Sequence, residues 1–214
     1  TVTITGPAPA GGVAVTLSDD STAATTPPSA TVAAGATSAT FTVTTSGVNT
    51  GTTVTVTGDY NGSQSGAFTI NPPALSSLAV TPTSVVGGNS STGTVTLNGP
   101  APSGGAAVAL SSDQGAATVP GSVTVLAGAT TATFTVDTVA VGSTTTATIT
   151  GNFNGPQTAS LTISAPVLSS VSLSPSTLVG GNPSTGTVTL SSAAPVGGAA
   201  VALSSDQGAA TVPG

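Results

Sequence analysis

Apolar and polar residues alternate along most of this chain with a period of two residues. The stretch Thr131–Val136 is typical, because Ala132, Phe134 and Val136 alternate with three threonines. Successive side chains of a strand point to opposite faces of a sheet, so this pattern predicts strands with one apolar face and one face of Thr or Ser. No segment carries a helical period of useful length. The chain is therefore predicted to be all-β.

An internal repeat of 93 residues, without gaps, organises the whole chain. Leu75–Gly121 and Leu168–Gly214 share 35 of 47 residues, and Gly104–Gly121 is identical to Gly197–Gly214. A fixed period is typical of arrays of similar structural units. The predicted organisation is a repeat lacking its first 19 positions (1–74, the first segment), a complete repeat (75–167, the middle repeat) and the N-terminal half of another (168–214, the third segment).

The given chain begins and ends within a repeat, and this allows two interpretations. The chain opens at position 20 of one repeat and stops at position 47 of another. A natural gene product would rarely start and stop in mid-domain, so we expect a window on a longer repeat protein. The alternative is that incomplete segments pair between copies, as in donor-strand complementation. Against it, the two partial repeats share 28 positions and over-complete one domain.

Seven or eight short antiparallel strands are predicted in the middle repeat from β-branched residues and frequent turn residues. They cover residues 78–80 with 85–86, 93–97, 106–111, 117–119, 123–125, 131–136, 144–153 and 158–164. Asn154-Gly155 favours a tight hairpin turn between the last two strands. One apolar face on each strand suits two sheets packed face to face. The pattern therefore predicts one antiparallel β-sandwich in each repeat.

Three stretches carry a resemblance to a known family of domains. They are Leu75–Pro82 with Val86-Gly87-Gly88, then Val125–Val136, and the hairpin around Asn154-Gly155. In these the chain resembles the bacterial immunoglobulin-like (Big-type) domains found in tandem on secreted and cell-surface proteins, and the similarity spans its whole length. The resemblance implies tandem immunoglobulin-like β-sandwiches. It also implies a role as stalk, spacer, adhesin or filament body.

The amino-acid composition argues against most kinds of catalytic and metal-binding site. The chain has no Lys, Arg, His, Cys, Met or Trp, and its six charged residues are all Asp. General bases and activated nucleophiles are therefore nearly absent, and we expect neither an enzyme nor catalytic residues. Without His or Cys, no cofactor-binding or transition-metal site is expected. A net charge of −6 with no cation also argues against nucleic acid and anionic lipid as partners. No apolar run approaches the roughly 20 residues of a membrane helix.

Aspartates and Asn-Gly turns are the remaining candidates for a metal site. Asp59–Gly62 and its equivalent Asn152–Gly155 loosely resemble a calcium loop, but the required spacing of carboxylates is missing, so a hairpin turn explains them better. Asp20, Asp113 and Asp206 occupy one repeat position in a predicted loop. We interpret them as turn residues or solvated charges, with a shared calcium ion as the alternative. No metal site is predicted.

Short proline-containing junctions join the repeats, at Ile70–Leu75 and Ile163–Leu168. Proline stiffens such linkers, so a stiff rod is expected rather than domains on loose tethers. The expected partners are neighbouring repeats, or copies of the chain along a fibre. Lateral self-association is a further alternative, because the sheet edges lack Lys. An O-linked glycan on the surface rich in Ser and Thr is another.

The preferred interpretation is a structural component of an extracellular bacterial filament, fibre or cell-surface stalk. The alternative is the stalk region of a surface adhesin or carbohydrate-binding protein whose binding tip lies outside this segment. A binding module should carry aromatic or charged clusters in its loops. Here the aromatic residues all fall at inward-facing strand positions, which favours the spacer: Phe41, Tyr60, Phe68, Phe134 and Phe153.

Overall fold

A computed structural model of the protein describes residues 1–212, which form strands and turns and no helix. Within that range no helix is long and apolar enough to cross a membrane. The prediction of an all-β chain is confirmed. Within the described residues, no sheet combines strands from two of these parts of the chain: the first segment, the middle repeat and the third segment.

Eight strands form the first segment. They are β1 (Val2–Thr3), β2 (Val13–Asp19), β3 (Ala24–Thr25), β4 (Ser29–Val32), β5 (Ser38–Ala39), β6 (Thr44–Thr45), β7 (Thr52–Asp59) and β8 (Ser63–Ile70). The main sheet has the order β4-β2-β7-β8, and the pairs β1-β5 and β3-β6 are separate two-stranded sheets. Alternate residues of β2 face inward, so Val13, Val15 and Leu17 are buried.

Nine strands form the middle repeat. They are β9 (Leu75–Thr81), β10 (Ser84–Val86), β11 (Ser91–Leu97), β12 (Ala106–Ser112), β13 (Ala117–Thr118), β14 (Ser122–Val125), β15 (Thr131–Thr138), β16 (Thr145–Asn152) and β17 (Pro156–Ser164). One sheet has the order β10-β17-β16-β12-β14 and the other β13-β15-β11-β9. Both sheets contribute to a single core. Its fully buried side chains include Val95, Val108, Val125, Val136, Ile149, Leu161 and Ile163.

One pair departs from the predicted antiparallel arrangement. β10 runs parallel to β17, with Val85 beside Ile163. Pro82 has no N–H to donate to a ladder, so β9 ends at Thr81 and the chain resumes as β10 in the opposite sheet. The expectation of antiparallel strands throughout was wrong here. A three-residue strand shows which face is apolar but not the direction of its partner.

The Asn-Gly turn was predicted correctly. Asn154 and Gly155 both have positive φ, 51° and 146°, and they connect β16 to β17. Asn61 and Gly62 repeat this geometry between β7 and β8. Three residues, Phe153–Gly155, lie between the paired residues Asn152 and Pro156, so the loop is one residue longer than a two-residue turn. Asn followed by Gly tolerates the positive φ angles that this loop requires.

The third segment has only two strands in the part of the chain that the structure describes. β18 (Leu168–Ser174) pairs antiparallel with β19 (Thr185–Leu190), as β9 pairs with β11 in the middle repeat. Residues 191–212 form turns and irregular backbone without a strand. The face of the β18–β19 hairpin that would meet a second sheet is therefore open.

Candidate functional site

The carboxylates of Asp20 and Asp113, at one repeat position, accept hydrogen bonds from backbone N–H groups. Asp20 Oδ1 accepts a hydrogen bond from the Thr55 N–H at 2.8 Å, and Asp113 Oδ1 accepts the equivalent bond from the Thr148 N–H at 2.7 Å. Each carboxylate thereby ties a loop to a strand of the main sheet. Among residues 1–212 no three His, Cys, Asp or Glu side chains come together as a metal-binding group. This geometry supports the interpretation of Asp20 and Asp113 as turn residues.

The Asp20 carboxylate is exposed, yet its ionised form is favoured. The hydrogen bond from the Thr55 backbone N–H, followed by one from the Thr55 side chain, holds the pKa of Asp20 below its ordinary value. A carboxylate that accepts such bonds is stabilised in its charged form. Asp20 therefore acts at neutral pH as a charged acceptor that fixes the backbone.

The joint between the first segment and the middle repeat is the most constrained junction. The Ala74 N–H donates to Asn98 Oδ1 at 2.9 Å, and the Asn98 N–H donates to the Ala74 carbonyl at 3.0 Å. Asn154 Nδ2 donates to the Pro73 carbonyl at 2.8 Å from the tip of the β16–β17 hairpin. Pro73 itself is buried. The linker is thus held from two sides by the repeat that follows it.

Loops from the two neighbours also meet directly at this joint. Gly47, in the β6–β7 loop, lies so close to the β11–β12 loop that a Cβ on it would overlap the Pro100 carbonyl oxygen and lie 3.0 Å from the Ala101 carbonyl carbon. Ala101 and Pro102 are buried, as is Val48 beside Gly47. This is a packed contact between repeats, since only the absence of a side chain at Gly47 allows the approach.

At the joint between the middle repeat and the third segment, the linker makes an equivalent pair of hydrogen bonds, with Ser191 in place of Asn98. The Val167 N–H donates to Ser191 Oγ at 3.0 Å, and the Ser191 N–H donates to the Val167 carbonyl at 2.8 Å. Ser191 occupies the repeat position of Asn98. An additional bond crosses this joint, from Ser192 Oγ to the Gly87 carbonyl at 3.0 Å. Both junctions are therefore fixed by hydrogen bonds as well as by proline.

Asn98 and Ser191 are functional residues that the sequence analysis did not identify. A signal was available, because the position after the last apolar residue of this strand holds a short polar residue in every repeat: Thr5, Asn98 and Ser191. Such side chains often bond nearby backbone groups. Their partners lie 24 residues away in sequence. Periodicity alone does not indicate a contact across that separation.

A cleft of about 670 Å³ opens on the first segment, lined on its apolar side by Val2, Ile4, Phe41, Val56, Tyr60 and Phe68. Gly58 also lines it. In the middle repeat the equivalent glycine, Gly151, lies against Leu75 of β9, whose Cδ2 would be 3.1 Å from a Cβ there. The cleft is thus the place that β9 fills in the middle repeat.

The exposure of the aromatic side chains also differs between the first segment and the middle repeat. Phe134 is buried, and Phe41 and Phe153 are half-buried. The expectation that all five aromatic residues lie in strands was wrong, because Tyr60 and Phe153 lie in hairpin turns and Phe41 lies between β5 and β6. Tyr60 and Phe68 line the cleft, and both are exposed because no strand of the described chain covers them. They do not form a cluster in loops at one end of a sandwich.

Comparison with known proteins gives matches among solved structures. No family model matches the chain, and no curated protein matches it. Among solved structures, the D0-D1 domain of Intimin is similar at 12% identity, with a TM-score of 0.36 over 72% of this chain and 82% of that chain. The D00-D0 domain of Intimin is similar at 14% identity, with a TM-score of 0.34 over 70% of this chain and 85% of that chain. The strand order and pairing of the middle repeat are those of an immunoglobulin-like β-sandwich.

Proposed function

We propose that this chain is a structural part of an extracellular bacterial filament, fibre or cell-surface stalk, in which the repeats form a stiff rod. The joint at Pro73 and Ala74 carries this proposal. Three hydrogen bonds hold those two residues to the repeat that follows. A free tether would show no such contacts, because flexible linkers remain solvated.

The joint also transmits orientation from one repeat to the next. Only residues 71–74 separate the last strand of the first segment, β8, from the first strand of the middle repeat, β9. Gly47 packs on the loop that contains Pro100, so a second point of contact limits rotation about the linker. Two contacts separated in space define a direction, whereas a single flexible connection does not. Each repeat would therefore act as a spacer of fixed geometry.

The exposed Thr residues and the small number of charges support a purely mechanical role. In β15 the outward residues Thr131, Thr133 and Thr135 are exposed, while Phe134 and Val136 are buried. Thr suits such positions, because its branched Cβ favours strands and its hydroxyl faces water. With six charges on 214 residues, copies repel each other weakly. Within this proposal the partners are neighbouring repeats or other copies of the chain, and the exposed Thr rows are where an O-linked glycan would attach.

The second candidate is the stalk region of a surface adhesin or carbohydrate-binding protein. The stiff joint suits that role equally, because a stalk has to hold a binding tip away from its base. The two candidates differ in the presence of a tip. The aromatic residues of the described chain face either the core or the cleft, so the spacer remains the preferred function of this segment.

Distances between spin labels test the stiffness of the joint. The chain has no Cys, so Thr31→Cys in β4 and Ser160→Cys in β17 place labels only at two exposed positions. Double electron–electron resonance should give one narrow distance distribution. Gly47→Ala should broaden it, because the added methyl group overlaps the Pro100 carbonyl.

Gly51→Ala is the matched control, since this glycine lies in the same loop and a Cβ there meets nothing within 4 Å. It should leave the distribution narrow. A distribution that is already broad in the parent chain, and that Gly47→Ala does not change, would contradict the stiff rod.

A further inference from the structure

Two asparagine side chains hold the linker between the first segment and the middle repeat, and their hydrogen-bonding roles are opposite. Asn98 Oδ1 accepts a hydrogen bond from the Ala74 N–H at 2.9 Å, whereas Asn154 Nδ2 donates one to the Pro73 carbonyl at 2.8 Å. A carboxamide offers both an acceptor and donors, but an ionised carboxylate offers acceptors alone. Only the contact made by Asn154 therefore depends on the side-chain nitrogen.

Both asparagines precede a glycine, and this pairing makes an asparagine side chain chemically labile. Asn98-Gly99 and Asn154-Gly155 are two of the three Asn-Gly pairs in the chain. Glycine has no side chain to shield its backbone nitrogen, so that nitrogen can approach the Cγ atom of the asparagine before it. Asparagine is for this kind of reason counted among the thermolabile residues of proteins.

The reacting groups of Asn154 and Gly155 are accessible at the tip of the β16–β17 hairpin. Asn154 is exposed, so water reaches its carboxamide. Within residues 1–212 the Gly155 N–H donates no backbone hydrogen bond, so none has to break before this nitrogen loses its proton. The hydrogen bond from Asn154 Nδ2 to Pro73 does have to break, because the carboxamide must turn towards Gly155.

We propose that Asn154 is a deamidation site and that its conversion releases the linker from the hairpin. The Gly155 nitrogen attacks Cγ of Asn154 and loses its proton, a C–N bond forms, and Nδ2 leaves as ammonia. Water then opens the resulting succinimide ring at one of its two carbonyl carbons. Opening at Cγ gives aspartate on the normal backbone. Opening at the backbone carbonyl gives isoaspartate, in which the chain runs through Cβ.

Both products replace a hydrogen-bond donor at the joint with an anionic acceptor. The new carboxylate is ionised at neutral pH and faces the Pro73 carbonyl as one acceptor against another. Isoaspartate also lengthens the hairpin tip beside Phe153, whose carbonyl accepts a hydrogen bond from the Leu75 N–H at 2.8 Å. The linker then keeps its bonds to Asn98 and loses its support from the hairpin.

The same change at Asn98 has a different consequence. Asn98 Oδ1 accepts the bond from the Ala74 N–H, and a carboxylate oxygen accepts it as well. The charge on the acceptor strengthens such a bond. Asn98→Asp therefore adds one negative charge at the same joint without removing a hydrogen bond to the linker. It is the matched control for Asn154→Asp.

The inference rests on the stiff joint of the proposed function, so its test uses the chain labelled at Thr31→Cys and Ser160→Cys. After incubation at mildly alkaline pH, anion exchange separates the molecules that have gained a negative charge over the parent net charge of −6. Peptide mapping needs a non-tryptic protease, because the chain has no Lys or Arg. It should find conversion at Asn154, and this fraction should give a broader distance distribution than the unconverted fraction.

The two aspartate variants test the consequence without incubation. Asn154→Asp should broaden the distribution, and Asn98→Asp should leave it narrow. The hairpin should form in Asn154→Asp, because Asp followed by Gly also favours such turns.

Three results would overturn the inference while the parent distribution is narrow. They are an Asn154 that stays unconverted in the folded chain under conditions that convert it in the urea-unfolded chain, an Asn154→Asp variant that remains narrow, and an Asn98→Asp variant that broadens equally. A parent distribution that is already broad overturns the stiff joint and the inference together.

Discussion

One stretch of eighteen residues occurs twice in this chain and folds differently in the two places. Gly104–Gly121 contains β12 and β13, and β12 lies between β14 and β16 in a five-stranded sheet. The identical Gly197–Gly214 forms no strand in its described part, residues 197–212. Leu110 is 8% exposed in the first setting and its equivalent Leu203 is 36% exposed in the second. Because the local sequence is the same, the partner strands account for the difference.

Side-chain burial in the first segment also depends on which strands lie beside it. Ile163 is fully buried in the middle repeat, whereas Ile70, the same residue at the same repeat position, is half-buried. Leu161 is fully buried and its equivalent Phe68 is exposed. The middle repeat has β9 and β10 beside these positions, and the first segment has no equivalent strand in the described chain. An inward-facing apolar residue becomes a core residue only when the second layer is present.

Truncating one leucine in each copy of the repeated stretch should give the largest contrast. Leu110→Ala should lower the free energy of unfolding of the middle repeat by about 2–5 kcal/mol, because it leaves a cavity in a closed core. Leu203→Ala should cost about 0.5 kcal/mol or less, as for an ordinary surface substitution. Native-state hydrogen exchange with peptide-level mass spectrometry reports each segment separately. Equal losses of protection would show that the third segment has a core of its own.

Adding a methyl group at one repeat position should give an intermediate contrast. Gly93→Ala places a Cβ into the Phe134 ring and should cost the middle repeat about 1–3 kcal/mol by overpacking. Gly186→Ala should be tolerated in the free hairpin, where the nearest atom is at 3.5 Å. The same exchange experiment, at a concentration where the chain is monomeric, measures both. A destabilising Gly186→Ala would mean that an aromatic ring already covers the hairpin.

Removing the charge at one repeat position should give the smallest contrast. The lowered pKa of Asp20 means that its bond to Thr55 stabilises the fold above the ordinary Asp pKa and is lost as the pH falls through the lowered value. Asp20→Asn should remove this part of the acid destabilisation. The effect should be small, because solvent screens an exposed carboxylate. Asp206→Asn is the matched control, because Asp206 is exposed and the described chain contains no equivalent of Thr55 that could donate a hydrogen bond to it.

Thermal unfolding followed by circular dichroism from about pH 2 to 6 measures this difference, across the range in which Asp titrates. The Thr55 amide proton in NMR spectra gives an independent measure. It should titrate with a midpoint below that of an ordinary Asp. A midpoint at or above the ordinary value would contradict the hydrogen bond between Asp20 and Thr55.

Much of the middle repeat could be predicted from its sequence. The alternation in residues 131–136 indicated which side chains are buried, and Asn154-Gly155 indicated the hairpin. The pairing of β10 with β17 and the joint contact of Asn98 could not be predicted in this way. Both depend on residues far away in sequence, whereas periodicity reports only which face of a strand is apolar.

The sequence by itself determined the repeat, the strands of a complete unit and the turns between them. These features depend on side-chain alternation, on the missing N–H of Pro82 and on the positive φ that Asn and Gly tolerate. Only the tertiary structure decided whether an apolar strand face became a core. Gly104–Gly121 and its identical copy show this most directly, because a strand is stable only when a neighbour satisfies its edge and a second sheet covers its face.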